Sequence, residues 1–355
     1  MNRDALTPVQ RLAAWGRGEP IDRLPCVPIV GNGAARVLGV KVRALRADAR
    51  LLAAAQTAAW RRFGYDNVRI FTDLYVLAEA MGATVTLPED ETAYLAAPAI
   101  DDVAGIAALQ PADPRRDGLL PRHLEALERT LAAIGDQVPV SAAVTGPLTT
   151  ASFLIGAEKL SRLMLKDPEA VHRLCRIALD SAIGFAAAII AAGGTPSLTE
   201  PMASSTVISP RQFATFAQPY LTELVDFIHR QGKPVTLHIC GKTEKSWEGM
   251  VATGADTLSL DNEVDLAAAA AKIGDRVRIM GHVHPTAVLL SGTPATVRQA
   301  VRDGVRQAHA APRGYIVASG CSLPTETPFA NIDAMLAAVR EIGWPVQPHA
   351  LTEGS

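Results

Sequence analysis

Cysteine is scarce here: Cys26, Cys175, Cys240 and Cys321 are all that 355 residues contain. Four scattered thiols exclude a disulfide scaffold, and in a reducing compartment they stay available for metal. Neither sign of charge prevails, the net value being −2. That balance offers no broad attraction for nucleic acid or an anionic membrane, so small molecules or proteins are the expected partners. The start, Met1-Asn2-Arg3-Asp4, lacks the apolar core of a secretory signal. The longest apolar stretch, around Ile183 to Ala192, is too short and Ala-rich to span a bilayer. No membrane association and a cytoplasmic location are therefore expected. Aromatics are only 5% of the residues although 48% are hydrophobic. The core must then be built from Ala, Leu and Val, which suits many helices packed on short branched strands.

Short β-branched runs alternate with helical stretches along the whole chain. Strands are predicted near Cys26 to Val30, Asn67 to Phe71, Val138 to Val144, Pro196 to Thr199, Val235 to Ile239, Thr257 to Leu260, Val277 to Met280 and Tyr315 to Ala318. Between most of them lie helical patterns such as Glu158 to Ala192 and Ser209 to Gln231. Such alternation predicts an α/β fold, a single (β/α)8 TIM-type barrel over 1–355. A longer stretch, Thr84 to Asp113, reads as an insertion after the second strand, with a hairpin around Pro88-Glu89-Asp90-Glu91. No flexible interdomain linker and no repeat of solenoid period interrupt the pattern.

Catalytic groups of such barrels sit at the C-terminal ends of the strands. The polar residues of this chain fall there. Asp73 follows the second strand, Thr145-Gly146 the third, Glu200 the fourth, His238 and Cys240 the fifth, Asp261 the sixth, His282 and His284 the seventh, and Cys321 the eighth. Residues two apart on a strand share a face, so His238 and Cys240 point to one site. Imidazole and two thiolates are ligands that zinc favours, and three protein ligands leave a position open for chemistry. The competing reading is a core histidine with two small buried cysteines. Cys26, in the first strand, and Cys175, in a helical run, read as packing.

Glu200 and Asp261 are the carboxylates best placed to complete or orient a metal, with helix capping or pairing to Arg as the plainer alternative. Asp73 stands between a helix cap and a functional carboxylate. With His238 and two thiolates at hand, His282 and His284 read as substrate contacts or hydrogen-bonding residues rather than ligands. Gly31-Asn32-Gly33 reads as a loop. Asn32, Gly146 and His282 are assigned to the cofactor side of the mouth.

Taken together, these residues resemble the uroporphyrinogen decarboxylase superfamily, and within it the zinc-dependent corrinoid methyltransferase branch of methylcobamide:thiol, coenzyme M type. The resemblance runs through Arg17-Gly18-Glu19-Pro20-Ile21-Asp22-Arg23-Leu24-Pro25, Phe71-Thr72-Asp73, Glu79-Ala80-Met81-Gly82, Thr145-Gly146-Pro147 and Glu200-Pro201 with Ile208-Ser209-Pro210. It closes on Leu237-His238-Ile239-Cys240-Gly241 and Gly320-Cys321-Ser322-Leu323-Pro324. The last two segments separate the branch from the metal-free decarboxylases. They imply zinc on His238, Cys240 and Cys321, and methyl transfer between a corrinoid and a zinc-activated thiol or related small molecule. Catalytic roles are assigned to Asp73, Glu200 and Asp261.

The arginine-bearing segment of the decarboxylases falls near Ile29 to Arg36, and only Arg36 remains of it. His282 and His284 depart from the Asn and Asp common in the superfamily. No Asp-x-His-x-x-Gly run is found, so the corrinoid is expected as free methylcobalamin or on a separate corrinoid protein that docks over the barrel mouth. A metal-independent decarboxylase and a non-catalytic zinc- or corrinoid-handling accessory protein are the alternatives.

Overall fold

The structure, a computed structural model, describes residues 4–351. In chain order its strands are β1 (Cys26–Val27), β2 (Val68–Ile70), β3 (Thr84–Thr86), β4 (Tyr94–Ala97), β5 (Val140–Thr145), β6 (Thr195–Thr199), β7 (Thr236–Ile239), β8 (Thr257–Leu260), β9 (Arg278–Val283) and β10 (Tyr315–Ser319). Eight of them form one parallel sheet in the order β1-β10-β9-β8-β7-β6-β5-β2, and β3 pairs antiparallel with β4. Each predicted barrel strand is present. The first is shorter than expected because Pro28 has no N–H to donate, and the chain turns there with Val30 N–H donating to the Pro28 carbonyl.

The two ends of the strand order, β1 and β2, are joined through Asp66. Its backbone N–H donates to the Cys26 carbonyl at 2.9 Å, and its carboxylate accepts the Cys26 N–H at 2.7 Å. The same carboxylate receives Arg11 Nη1 and, at 2.6 Å, Arg23 Nη1. Arg11 and Arg23 also contact Asp4, and Arg11 reaches Asp22. This buried ion network sits where the curled sheet meets itself, so the fold is a TIM-type (β/α)8 barrel.

The outward faces of the strands build the core. Leu198, Leu237, Leu258, Ile279 and Val317 are fully buried against helix residues such as Val171, Leu179, Leu224 and Val301. The helix Pro168–Ala191 belongs to this layer and contacts β5 and β6. By length and apolar composition it could cross a membrane, contrary to the sequence expectation, because the helix runs well beyond the apolar stretch that ends it; half of its most apolar window is buried inside the barrel's helical layer.

Barrel interiors are usually filled by bulky branched side chains. Here Ser141, Ser197, Thr236 and Thr257, together with Arg69 and Arg278, face inward and leave a cavity of about 430 Å³. A small apolar group, Val27, Met280, Ile316 and Ala318 with Trp15 against it, fills only one side.

The stretch after β2 holds the expected hairpin, β3 and β4, which packs at the C-terminal end of the barrel. Arg43 N–H donates to the Glu89 carbonyl at 3.0 Å, and Asn32 Nδ2 donates to Thr92 Oγ1 at 3.1 Å.

Candidate metal centre

His238 lies on β7 in register with Thr199 of β6 and Ser259 of β8. Paired residues of a parallel sheet share a face, so all three side chains are on the inner surface. Cys240 follows two residues later on the same side. Cys321 comes from the loop after β10, where Gly320 is required: a Cβ there would stand 2.6 Å from the Asn262 backbone nitrogen. The strand ends thus deliver donors from positions 81 residues apart to one point.

His238 Nε2 is 3.1 Å from Cys240 Sγ, and Cys240 Sγ is 3.9 Å from Cys321 Sγ. All three donor atoms lie within 4.8 Å of one another, the only such His, Cys, Asp or Glu cluster among the described residues. Tetrahedral zinc, with bonds of about 2.0 Å to nitrogen and about 2.3 Å to sulfur, wants its donors roughly 3.5 to 3.8 Å apart. The two sulfurs stand at about that spacing, and His238 and Cys240 would have to part by a few tenths of an ångström. His238 Nδ1 sits 3.0 Å from the Ser259 carbonyl and 3.1 Å from Ser259 Oγ. A carbonyl only accepts, so Nδ1 carries the proton and the Nε2 lone pair faces the thiols, the arrangement that metal-binding imidazoles need.

Without a metal the two thiols share a proton. The hydrogen bond from Cys240 pulls Cys321 down to about 4 against the effect of burial, with His238 assisting. The same bond, and then burial, pushes Cys240 far up. Cys26 and Cys175 are buried elsewhere as packing, and burial pushes the Cys26 thiol to about 12.

The carboxylates predicted for catalysis are distributed differently. Asp73 Oδ2 accepts Arg46 Nε at 2.8 Å and Thr72 Oγ1 at 3.0 Å, and Oδ1 accepts the Tyr75 N–H at 2.9 Å. It is buried, its oxygens held by Arg46 of the helix Val42–Ala47 and by groups of its own loop. Glu200 is fully buried, its oxygens accepting the backbone N–H groups of Thr149 at 2.6 Å and Leu148 at 3.2 Å. It holds the N-terminus of the helix Pro147–Ile155 through these two bonds. Burial raises its carboxyl to about 7, opposed by the hydrogen bonds from Thr149 and Leu148. Gly146 is the reason it fits: a Cβ there would meet Glu200 Oε2 at 2.2 Å. Gly146 therefore makes room for Glu200.

Asp261 stays near the centre. Its Oδ1 accepts the Glu263 N–H at 3.2 Å, and its charge acts on both Cys240 and His282. His282 is mostly buried, and burial lowers its pKa, partly offset by a hydrogen bond with the Val264 backbone. His284 Nδ1 accepts the N–H groups of Thr286 and Ala287, so it caps the turn Pro285–Leu290 as a hydrogen-bonding residue. Asn32 Nδ2 is tied to the Thr72 carbonyl at 2.7 Å and to Thr92 of the hairpin, while its Oδ1 is buried without a partner.

Sequence reasoning missed two residues. Ser259 orients His238, and its only signal was a place in the strand before Asp261. Arg69 lies inside the barrel with Nη2 on Thr199 Oγ1, and its positive charge is felt by Cys240 and Cys321. An arginine in the middle of a buried strand was the available signal.

The uroporphyrinogen decarboxylase (URO-D) family profile matches residues 7–342. The methylcobamide:CoM methyltransferase MtaA of Methanosarcina barkeri (strain Fusaro) is 29% identical over 340 residues, spanning 92% of this chain and 96% of that one. The uroporphyrinogen decarboxylase of Psychromonas ingrahamii is 27% identical over 294 residues, spanning 80% and 81%. Among solved structures, a methyltransferase from Methanosarcina mazei superposes with a TM-score of 0.86 at 26% identity, covering 95% of this chain and 99% of its own.

Proposed function

The chain belongs to the uroporphyrinogen decarboxylase (URO-D) family, and we propose that within it the protein is a corrinoid-dependent methyltransferase, moving a methyl group between a corrinoid and a small thiol held at zinc. The observation that carries this reading is the convergence of His238, Cys240 and Cys321 within 4.8 Å, with the imidazole oriented by Ser259. The likeness to methylcobamide:CoM methyltransferases over nearly the full length supports it. Bound by these three residues, zinc supplies the Lewis acidity that turns a thiol into a thiolate at neutral pH.

The protein's own groups do the rest. Ser259 keeps the His238 proton on Nδ1, and Glu200, whose N–H donates to the His238 carbonyl, ties the helix Pro147–Ile155 to the end of β6 beside β7. Asp261 places negative charge at the rim near Cys240. In the thiol-methylating direction the sulfur–carbon bond forms, the cobalt–carbon bond breaks with its electron pair left on cobalt, and the thiol proton passes to solvent. The corrinoid, free or on a partner protein, approaches from the mouth. Three of the four exposed large apolar side chains, Leu87, Tyr94 and Val207, belong to segments at that end, the fourth being Leu165 on the helix Ala157–Lys166, and this supports a docking rim there.

Arg36, the arginine left from the decarboxylase-type segment, donates to the Thr325 and Thr327 carbonyls at 3.1 Å and is not presented to a substrate carboxylate. That disfavours the decarboxylase alternative. The test is elemental mass spectrometry on wild type and Cys321→Ala, paired with single-turnover demethylation of methylcobalamin by thiols. About one zinc per chain, lost with the activity in the variant, is expected. A wild type that stays metal-free after zinc supplementation overturns the reading.

A further inference from the structure

The cavity of about 430 Å³ runs the length of the barrel. Beneath the metal centre His238 and Ser259 line it, and at the far end Asn67, Thr195, Thr257 and Arg278 do, residues that open or immediately precede their strands. Between these ends the walls are small and polar. Two residues below His238 on β7, Thr236 is in register with Ser197 of β6 and Thr257 of β8, a row of hydroxyls where bulky branched side chains usually close a barrel. The two ends differ in their exposure. Toward the mouth the lining residues Ile29, Val30 and His238 are buried, whereas at the floor Ala13 and Pro234 are exposed to solvent. The cavity therefore reaches the surface through the floor of the barrel, the end opposite the strand termini that carry the donors.

This opening has a fixed frame. One side is the helix Pro8–Gly16, fastened by the Val9 N–H donating to the Gln137 carbonyl at 3.0 Å and by Arg11 on Asp22 and Asp66. Trp15 of that helix stacks on Arg278 at 4.6 Å and lies against Gly314, where a Cβ would meet Trp15 Cζ2 at 2.4 Å. Ala13, two residues earlier, brings only a methyl group to the rim. Arg69 and Arg278 each have a buried Nε without a partner, and polar cavities of this size take up water to satisfy such groups.

Resting on the methyl-transfer reading above, we propose that the floor opening is the route by which the small co-substrate and its proton exchange with solvent while a corrinoid covers the mouth, and that Ala13 and Pro234 set the size of what passes. A corrinoid seated over the mouth closes that side to exchange. In the thiol-methylating direction the thiol must still enter, its proton must leave as the sulfur–carbon bond forms, and the thioether must follow. The floor serves all three, the proton travelling through water held along Ser259, Thr236 and Ser197. An unfilled barrel gives up apolar burial that branched side chains would supply, and such departures from good packing are expected where function requires them.

The access arm of the test places a reporter halfway along the cavity, Ser197→Cys in the full chain, and follows its modification by methyl methanethiosulfonate through mass spectrometry of the peptide that contains it. The reporter should react, and adding Ala13→Trp or Pro234→Trp, which narrow the floor from exposed positions, should slow it at least tenfold. The kinetic arm measures single-turnover demethylation of methylcobalamin by 2-mercaptoethanol in the same floor variants without the reporter. The second-order rate in thiol should fall at least fivefold, with the rate at saturating thiol and the zinc content unchanged. Should one floor variant fail to fold, the other carries both arms. A reporter that stays unmodified, or reacts equally fast with the floor narrowed, overturns the proposal, as does an unchanged thiol dependence in a variant whose reporter has slowed. Floor-dependent labelling without any methyl transfer supports the opening and instead sinks the methyltransferase reading.

Discussion

Asp66→Asn should loosen the barrel at its seam. The substitution keeps the side chain's shape but removes the charge facing Arg11 Nη1 and Arg23 Nη1, and it sets an amide donor against groups that only donate. Removing one partner of a buried ion pair costs about 3–5 kcal/mol, because the remaining charge stays buried and unpaired. Here one carboxylate serves two guanidinium groups and the Cys26 N–H, which argues for the upper end. Against that, Arg11 retains Asp22 at 2.7 Å and Arg23 retains Asp4 at 2.7 Å, so neither cation is abandoned. The expected loss is therefore about 3 kcal/mol, a large share of the roughly 5–15 kcal/mol typical of a folded domain. Equilibrium urea unfolding followed by circular dichroism reads it as a lower midpoint at unchanged slope. The zinc content of the folded fraction should not change, since the network lies at the opposite strand ends from the ligands. A loss under about 1 kcal/mol would refute the claim that Asp66 closes the barrel.

Three further outcomes are expected. Gly146→Ala drives a Cβ to 2.2 Å from Glu200 Oε2, so it should cost about 1–3 kcal/mol in urea unfolding and lower activity by displacing the helix Pro147–Ile155; a neutral effect would show that Glu200 does not need its present position. Asp4 and Asp22 are pushed up by burial but held below the usual carboxylate range by hydrogen bonds from Arg23 and Arg340, and from Arg11. Their stabilisation is whole above the unfolded value of about 3.9 and drains away as pH falls toward the lowered folded values. Unfolding midpoints from pH 7 to 2 should show this as a steepening acid loss, softened in Asp22→Asn. Because its hydrogen bond from Cys240 lowers Cys321 while burial raises Cys26, metal-free protein should react with iodoacetamide at Cys321 before Cys26, with zinc protecting Cys321. Peptide mapping that found Cys26 labelled as quickly would contradict the assigned burial.

The strands were legible because each is a short branched run bounded by turns, and period-2 alternation is local. His238 and Cys240 were legible as a pair for the same reason. Cys321 joined them through the expectation that strand ends share a mouth and through the family resemblance of its segment. The carboxylates show the limit of such reasoning. Asp73, Glu200 and Asp261 all stand at strand ends, and nothing in their flanking residues distinguishes them. What separates them is where their lone pairs go: Asp73 to Arg46, Glu200 to two backbone N–H groups of a helix start, and Asp261 to a turn beside Cys240.

The amino-acid order by itself determined the alternation of eight strands with helices, the donor types at the metal centre and the shortage of charge and disulfides, because each is a property of composition or short-range spacing. Tertiary structure alone decided that Ser259 orients His238, that Asp66 joins the first strand to the second, and that Arg69 and Arg278 face an internal cavity whose one carboxylate, Asp66, is already paired with Arg11 and Arg23. Those are relations between side chains brought together from distant strands by barrel closure. Hydrogen bonds and buried charges act over a few ångströms of space, and separation along the chain carries no record of them.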